Sequence, residues 1–321
     1  MLGGTGFIGR CVVERLNGRG DEVAVVHRGL TELAGLPPVR HIHADRLDLS
    51  SQSRAIREFR ADAVVDSNAL TGADVDAVTG VLPDVATVVL SSQDVYQAVA
   101  AFRSGVVDAA VPLSEDSELR RTRYPYAGRG YAAVPDDYEK LDVEERWLPR
   151  GAVALRLPMV YGPHDDQQRE SPILRRAAAG QAEIPIGVGG LLWTRSHVED
   201  VASAVLAALD TRAADGLAVN VGEQRVYPIR SWFQQILDAA DSPAVLAEVA
   251  NEAVPADLSI SRGSAQHLLA SVQRASDLLG WNAGDPRVRV RESVLWHLKH
   301  TRFEQWSDEE REKDSNSLRN R

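Results

Sequence analysis

Three glycines near the start of the chain have the spacing of a phosphate-binding turn. Gly3, Gly6 and Gly9 form a G-x-x-G-x-x-G pattern that leads into a segment with apolar residues at every fourth position. Glycine is needed where a chain turns sharply and where phosphate oxygens approach the backbone. A strand, a glycine turn, a helix and a second strand within about 30 residues indicate a dinucleotide site. The residues expected to hold the dinucleotide are Gly3, Thr5, Gly6, Phe7, Ile8 and Gly9.

The first strand of this unit is represented by only two residues before the turn. Strands in globular proteins usually have three to ten residues, and a central strand must pair on both sides. We therefore expect the natural start of the protein to lie upstream of Met1.

The end of the second predicted strand carries a residue that bears on the choice of cofactor. An acidic residue here would bind the ribose 2′-hydroxyl of NAD, whereas an arginine pairs with the 2′-phosphate of NADP. Arg28 occupies this place and favours NADP, with NAD as the alternative. A solvent-facing arginine is the other interpretation. Asp45, after the third predicted strand, either accepts from the adenine amino group or forms a turn.

Metal and hydrolase chemistry have little support in the sequence. His41 and His43 alternate on a predicted strand and so point to one face, but no third ligand is evident. We therefore predict no metal site. Ser92 lacks the G-x-S-x-G turn of a serine hydrolase.

Composition narrows the class of protein. The 321 residues carry a formal net charge of −10, which argues against a nucleic-acid surface. The single cysteine, Cys11, allows no intrachain disulfide, and no apolar run approaches the ~18 residues of a membrane span. We expect a cytoplasmic protein with a small-molecule substrate, no membrane contact and a homodimer as a possible assembly.

Apolar runs alternate with amphipathic segments along most of the chain. Strands are predicted at 23–26, 40–43, 63–65, 87–90, 152–157 and 218–221, and helices at 51–59, 75–82, 138–148 and 198–209. This order predicts an α/β fold, a doubly wound parallel-sheet Rossmann domain with a smaller C-terminal substrate lobe. The dinucleotide domain is expected to comprise residues 1–157 and about 193–222, with its first strand truncated. The lobe is expected to comprise residues 158–192 and 223–302. Residues 303–321 are expected to form a charged tail, either a solvated helix or a frayed end.

Several segments in this order resemble a known family. They are Gly3-Gly4-Thr5-Gly6-Phe7-Ile8-Gly9, Asp45, Ser91-Ser92-Gln93-Asp94-Val95-Tyr96, Lys140-Leu141-Asp142-Val143-Glu144, the run from Leu155 to Pro163, the run from Arg195 to Val201, and Asn220-Val221-Gly222. Together they resemble the extended and atypical short-chain dehydrogenase/reductase superfamily, in its NAD-dependent epimerase/dehydratase group. The resemblance extends to about residue 300.

The resemblance implies roles for two residues. In typical members a serine or threonine four residues before the tyrosine of a Val-Tyr pair hydrogen-bonds the reacting oxygen, and Ser92 has that place. A Tyr-x-x-x-Lys pair completes the machinery, because the lysine binds the nicotinamide ribose and lowers the pKa of the tyrosine. Lys140 matches this lysine.

The tyrosine of that pair is missing at its usual place. Asp136 stands four residues before Lys140, and Tyr138 only two, which on a helix turns Tyr138 roughly 200° away. Either Asp136 is a carboxylate acid/base, or a loop tyrosine (Tyr124, Tyr126 or Tyr131) reaches in, or the redox chemistry is lost. Asp136 would otherwise be a helix cap, and Tyr138 a packed aromatic unless the helix starts elsewhere.

The substrate side also departs from the family. Members that act on nucleotide sugars usually carry an asparagine at the position of Met159, and methionine cannot replace its hydrogen bonds to a diphosphate. Arg169 and Arg195 are placed to bind an anionic substrate group, or form surface ion pairs. We predict an NAD(P)-dependent reductase, epimerase or dehydratase for a small oxygenated metabolite, with isomerase or lyase chemistry ahead of reduction. The alternative is a non-catalytic dinucleotide-binding sensor or an RNA-associated member.

Overall fold

The computed structural model describes residues 1–30, 35, 38–130, 134–260, 264–303 and 306–319. Its strands are β1 (Ala24–His27), β2 (Arg40–His43), β3 (Ala63–Asp66), β4 (Ala86–Ser92), β5 (Val153–Leu157), β6 (Met159–Tyr161), β7 (Glu183–Ile186), β8 (Arg195–His197), β9 (Ala218–Asn220) and β10 (Val245–Glu248). Its α-helices are α1 (Phe7–Arg19), α2 (Ser53–Phe59), α3 (Gly72–Thr79), α4 (Gln97–Ser104), α5 (Lys140–Trp147), α6 (Ser171–Ala178), α7 (Val198–Leu209), α8 (Ile229–Ala239), α9 (Gln273–Leu279), α10 (Pro286–His300) and α11 (Asp308–Arg319).

A parallel sheet forms the centre of the molecule. Its order is β2, β1, Leu2, β3, β4, β5 and β9, because Leu2 bridges β1 on one side and β3 on the other. The Leu2 amide donates to Val65 O at 2.8 Å, and the Gly3 amide donates to Val26 O at 3.0 Å. The chain order therefore reverses at Leu2, and ligands of such sheets bind at this reversal, beyond the carboxyl ends of the strands.

Helices cover both faces of the sheet. Val88 and Leu90 of β4 point to one face and pack with α1 and α7. Val89, between them, points to the other face and packs with α2, α3 and α5. The fold is thus the doubly wound α/β arrangement that the sequence predicts, since residues of a strand alternate between two buried faces.

A third apolar cluster lies mainly among the elements that follow β5. Two short parallel pairs, β6 with β8 and β7 with β10, pack with α4, α6, α8 and α10 around residues that include Trp232 and Phe233. Within the described ranges, no helix combines the length and apolarity that a membrane span requires.

The charged C-terminal segment forms a docked helix. Arg176 of α6 bonds to Asp314 of α11 at 2.8 Å, and both side chains are buried. The Arg176 guanidinium also lies 4.5 Å from the ring centre of Trp306, which is 5% exposed. The segment is thus a helix with most of its side chains exposed, which corresponds to the solvated-helix alternative, and two arginines of α6 hold it against the rest of the protein.

A cavity of about 470 Å³ lies at the amino end of β1 and β3, lined by residues that include Leu2, Val23 and Val64. It is at the opposite end of these strands from the glycine turn, so it is separate from the candidate active site.

Candidate active site

The glycine turn has the shape that a pyrophosphate requires. Gly3 has φ +70°, and a Cβ there would lie 2.9 Å from Ser67 Oγ. A Cβ on Gly9 would lie 3.0 Å from the Gly4 Cα, so α1 can approach the turn only because this residue is glycine. Gly6, in contrast, is exposed and has no heavy atom within 4 Å of its Cβ position. The neighbour-free side of Gly6 is where a ligand can approach the backbone.

The start of α1 provides donors for the same ligand. The helix begins at Phe7 without a side-chain cap and without an acidic residue in its first turn. The first amides of a helix have no partner within the helix, and they carry the positive end of its dipole. The residues present therefore fit the pyrophosphate of a dinucleotide, with Thr5 buried in the turn and Ile8 half-buried beside it.

One loop joins the glycine turn to Lys140. Ser67 Oγ donates to the carbonyls of Leu2 and Gly3, at 2.9 Å each. Two residues later, Ala69 O accepts from Lys140 Nζ at 2.5 Å. Lys140 Nζ also donates to Leu90 O, at 2.9 Å. The lysine is thereby fixed between the ends of β3 and β4, next to the turn.

Lys140 is the first residue of α5, and this start of the helix determines the direction of the Tyr138 side chain. The N-cap is Glu139, which accepts from the Leu141 amide at 3.0 Å and forms a buried ion pair with Arg120. Tyr138 therefore precedes the helix, and the rotation of roughly 200° expected from helical periodicity does not apply to it. The prediction of a helix from residue 138 was wrong at its start by two residues, since the buried Glu139 caps it.

The Tyr138 phenol lies among groups of the predicted site. It is 8% exposed, and it interacts with the Asp94 carboxyl and the Ser92 hydroxyl. Lys140 Nζ lies 5.9 Å from the Tyr138 ring centre. Burial and the neighbouring Asp94 raise the pKa of Tyr138 well above its ordinary value, so the phenol keeps its proton at neutral pH.

Two further groups complete the cluster: Asp94, which was not singled out from the sequence, and Tyr126, one of the three loop tyrosines expected as candidates. Asp94 is buried, and burial raises the pKa of its carboxyl although Arg103 opposes the shift. Tyr126 donates to Asp94 Oδ2 at 3.3 Å, and its ring meets the Tyr138 ring edge-on at 5.0 Å between centres. A signal for Asp94 was present in the sequence, because it is two residues from Ser92 on the same strand end.

Lys140 keeps most of its charge at neutral pH. Burial lowers the pKa of its ammonium group to about 8, and the carboxylates of Asp94 and Asp66 limit the shift. Because both of its described acceptors are carbonyl oxygens, the lysine is held in place without a dedicated carboxylate partner.

Asp136 does not lie beside Lys140. Its side chain is exposed, and its Oδ1 accepts from the Gly128 amide at 3.1 Å. Asp136 also does not cap α5, because Glu139 has that place. The structure therefore corrects both interpretations of Asp136. Tyr131, another candidate from the loop, lies outside the described residues.

The residues expected at the adenosine end have simpler positions. Arg28 is exposed immediately after β1. Asp45 caps the short 3-10 helix Arg46–Gln52 by accepting from the Leu47 amide at 2.9 Å. The turn-forming interpretation of Asp45 describes this contact, and nothing in it involves adenine.

The two arginines expected to bind substrate are engaged within the protein. Arg169 is half-buried, and its Nε donates to Val160 O at 2.8 Å. Arg195 is 1% exposed, lies 3.5 Å from Glu223 and stacks on Trp232 at 5.1 Å. The expectation of a surface ion pair is wrong for Arg195, since its pair with Glu223 is buried.

Comparisons with known proteins agree with this geometry. The model of the NAD dependent epimerase/dehydratase family matches residues 1–222. The chain is 27% identical over 255 residues to the 2′-dehydrokanamycin reductase of Streptomyces kanamyceticus, covering 76% of this chain and 66% of that protein, slightly less than two thirds. It is 23% identical over 303 residues to the chloroplast stem-loop binding protein of 41 kDa b of Arabidopsis thaliana, covering 88% and 74%.

The fold agrees with solved structures as well. The UDP-glucose-4-epimerase from Stenotrophomonas maltophila, with bound NAD and formylated UDP-arabinopyranose, has a TM-score of 0.70 at 18% identity, covering 93% of this chain and 97% of that one. The family match includes the glycine turn and Lys140. The chain therefore belongs to the NAD-dependent epimerase/dehydratase family.

Proposed function

We propose that this protein reduces a carbonyl group of a small oxygenated metabolite with a nicotinamide dinucleotide, and that Tyr138 donates the proton. The observation that carries the proposal is the buried Tyr138 ring, which lies 5.9 Å from Lys140 Nζ and whose phenol interacts with Ser92 and Asp94. Tyr138 thus supplies the hydroxyl that the sequence pattern lacks four residues before the lysine.

Each residue of the cluster has a distinct task in this proposal. When bound, the nicotinamide supplies the hydride, while the protein supplies orientation and a proton. Ser92 orients the carbonyl oxygen by a hydrogen bond. Tyr138 donates its proton to that oxygen as negative charge develops on it. Lys140 adds a positive charge that stabilises the resulting phenolate.

The proton is then replaced through neighbouring groups. Asp94 interacts with the Tyr138 phenol and also accepts from the half-buried hydroxyl of Tyr126. This connected set leads from the interior towards the surface, so it offers a route for a proton to return to Tyr138.

The protonation state of the cluster favours reduction over epimerisation or dehydration. A group that begins a reaction by removing a proton must be ionised, whereas a group that completes a ketone reduction must carry a proton. Burial keeps the phenol of Tyr138 protonated. The opposite ranking from the sequence depended on an ionised Asp136 beside Lys140, and that side chain is exposed elsewhere.

The substrate is proposed to be a small metabolite without a nucleoside diphosphate. Met159 occupies the place of the usual diphosphate-binding asparagine, and it is 6% exposed within an apolar cluster. The similarity to a protein named 2′-dehydrokanamycin reductase supports an oxygenated substrate with a carbonyl group. The UDP-sugar named with the solved epimerase is less suitable, because a methionine donates no hydrogen bond to its phosphates.

A set of matched variants tests the proposal. A panel of ketones and aldehydes would be offered with NADPH or NADH, and turnover followed by the loss of cofactor absorbance. Tyr138→Phe should retain dinucleotide binding and lose turnover by ~10²-fold or more, the usual size of a general acid effect. Tyr124→Phe removes a hydroxyl from the adjoining loop, on an exposed residue, and should leave turnover unchanged.

The Asp136→Asn variant distinguishes between Asp136 and Tyr138 as the proton donor. It should behave as the unmodified protein if Tyr138 is the donor, because Asp136 is exposed and bonded to Gly128. Loss of turnover in Asp136→Asn with full activity in Tyr138→Phe would contradict the proposal. Dinucleotide binding without turnover of any carbonyl compound in the panel would instead favour a non-catalytic sensor.

A further inference from the structure

We infer that His27, His41 and His43 form a binding site for a divalent transition metal at the carboxyl end of β1 and β2. The parallel pairing of these strands sets His27 opposite His43, and His41 lies two residues earlier on the same face of β2. The sequence shows only the alternating pair on β2. The third histidine, His27, lies on the neighbouring strand β1, 14 residues before His41.

The ring nitrogens have separations suited to one metal ion. One nitrogen of each residue can be chosen so that all three lie within 4.8 Å of one another. The closest pair, His27 Nε2 and His41 Nδ1, is 2.8 Å apart. Zinc–nitrogen bonds of about 2.0–2.1 Å in a tetrahedron place neighbouring ligand nitrogens roughly 3.3 Å apart, within the range spanned by these separations.

The rings can adjust to such a geometry. His41 and His43 are exposed on β2, an edge strand of the described sheet, whereas His27 is 8% exposed. The two outer rings can therefore rotate without disturbing the core, while His27 provides a fixed point. Their exposure also leaves a coordination position open to water or to an anion.

The chemistry of the cluster favours a metal over an anion. The 2.8 Å contact between His27 and His41 requires one ring nitrogen to accept, so at least one lone pair points into the cluster. An anion would need protonated rings, and placing several imidazolium charges within 4.8 Å is unfavourable. For a metal to use the lone pairs of both nitrogens, the shared proton must leave the contact between His27 and His41. His27 then carries its proton on Nδ1, and the Gly29 amide, which donates to Nδ1 at 3.2 Å, must give up that contact. Imidazole nitrogen suits zinc, nickel and copper, whereas magnesium and calcium prefer oxygen ligands.

The site is separate from the residues proposed for proton transfer, and it adjoins Arg28, which directly follows His27. Its histidines lie on β1 and β2, while Ser92 and Lys140 lie at the end of β4 and the start of α5. Because bound metal is measured without cofactor or turnover, a failure of the carbonyl-reduction proposal is distinguishable from a failure of metal binding.

Metal binding to the full chain, free of any affinity tag, tests the inference. The protein would be stripped with a chelator and dialysed against Zn²⁺ or Co²⁺, with bound metal measured by mass spectrometry. We expect one equivalent of tightly bound metal, and for Co²⁺ the intense visible absorption of a four-coordinate ion. His41→Gln and His43→Gln change exposed side chains, so both proteins should fold normally. Each should weaken binding by at least about tenfold, since loss of even an outer partner of a metal ligand costs 10–100-fold.

His300→Gln is the matched control, because His300 is exposed on α10 and bonds to Trp296 O, away from the cluster. It should bind metal as the unmodified protein does. Equal affinity in the unmodified protein, His41→Gln and His43→Gln would overturn the inference. Binding of inorganic phosphate that depends on His41, without binding of Zn²⁺ or Co²⁺, would also overturn it and identify an anion site.

Discussion

Arg28 is the side chain on which the choice between NADP and NAD depends. It is exposed directly after β1, where an acidic residue would hold the ribose of NAD. We expect tighter binding of NADP than of NAD, and Arg28→Asp should reverse the order because a carboxylate repels the 2′-phosphate and accepts from a ribose hydroxyl. Loss of a charge-assisted hydrogen bond of about 1.5–3 kcal/mol corresponds to an NADP affinity about 10- to 100-fold lower.

Calorimetric titration of both cofactors into the chelator-treated protein would measure this change. Arg40→Asp, on the exposed side of β2, is a matched control for the change of net charge. Equal affinities for NAD and NADP in the unmodified protein would contradict the prediction.

Single residues also show how far the sequence could define the site. Ser92 and Lys140 were assigned from their neighbours in sequence, and both belong to the cluster around Tyr138. From the sequence, Asp136 was the candidate acid/base and Tyr138 was expected to be a packed aromatic. Which of the two side chains faces Lys140 depends on where α5 begins. That start is set by Glu139, whose buried pair with Arg120 joins segments 19 residues apart. Contacts of this kind have no local pattern from which they could be predicted.

Elements were predictable where local propensity and burial agree. Helix α7 has the predicted bounds, with acidic residues in its first turn and alanine and valine along its buried face. The strands of the main sheet were also found within about two residues, since most of them are short apolar runs. The pairs β6–β8 and β7–β10 were not predicted. Their strands have three or four residues, and their pairing is fixed by distant packing around Trp232.

The junction of α6 and α10 leads to a prediction for pH dependence. Glu170, at the start of α6, is 2% exposed, accepts from Ser293 of α10 and has no described partner for Oε1. Burial raises the pKa of its carboxyl from 4.5 to about 8. The folded state therefore binds a proton that the unfolded state releases. The contribution of Glu170 to stability is present at low pH and is lost as the pH rises from about 4.5 to about 8.

Glu170→Gln should remove this part of the pH dependence. The amide is neutral at every pH, so the variant should gain stability relative to the unmodified protein as the pH rises from about 5 to about 8. Urea unfolding at several pH values would measure the difference, with Glu248→Gln, on an exposed position of β10, as the control. Parallel stability curves for Glu170→Gln and the unmodified protein would show that Glu170 is ionised in the fold.

At the scale of the whole molecule, the fold class follows from the alternation of strands and helices, whereas the role of the tail does not. The charged residues of this segment indicate a solvated helix or a frayed tail, but they do not indicate that Asp314 is buried against Arg176 with Trp306 beside the pair. A buried ion pair is indistinguishable in sequence from an exposed one. Here the buried ion pair joins two helices, and its two residues, Arg176 and Asp314, are 138 positions apart in the sequence.

Net charge distinguishes the enzyme from the RNA-associated alternative. The chain carries 36 basic and 46 acidic residues, and several of its exposed arginines, such as Arg54 and Arg121, are paired with glutamates. RNA binding depends mainly on contacts between basic side chains and phosphates, and it weakens steeply with salt. We therefore expect no measurable affinity for a stem-loop RNA at physiological salt, despite the similarity to a chloroplast stem-loop binding protein.

Fluorescence polarisation with a labelled stem-loop, at low and at physiological salt, would test this expectation. The addition of NADP extends the test, because RNA held at the dinucleotide site would be displaced by it, whereas RNA held elsewhere would not. Weak binding that disappears at physiological salt is compatible with an enzyme whose charge is −10. Tight binding that persists there would require a clustered basic surface and would favour the RNA-associated role over carbonyl reduction.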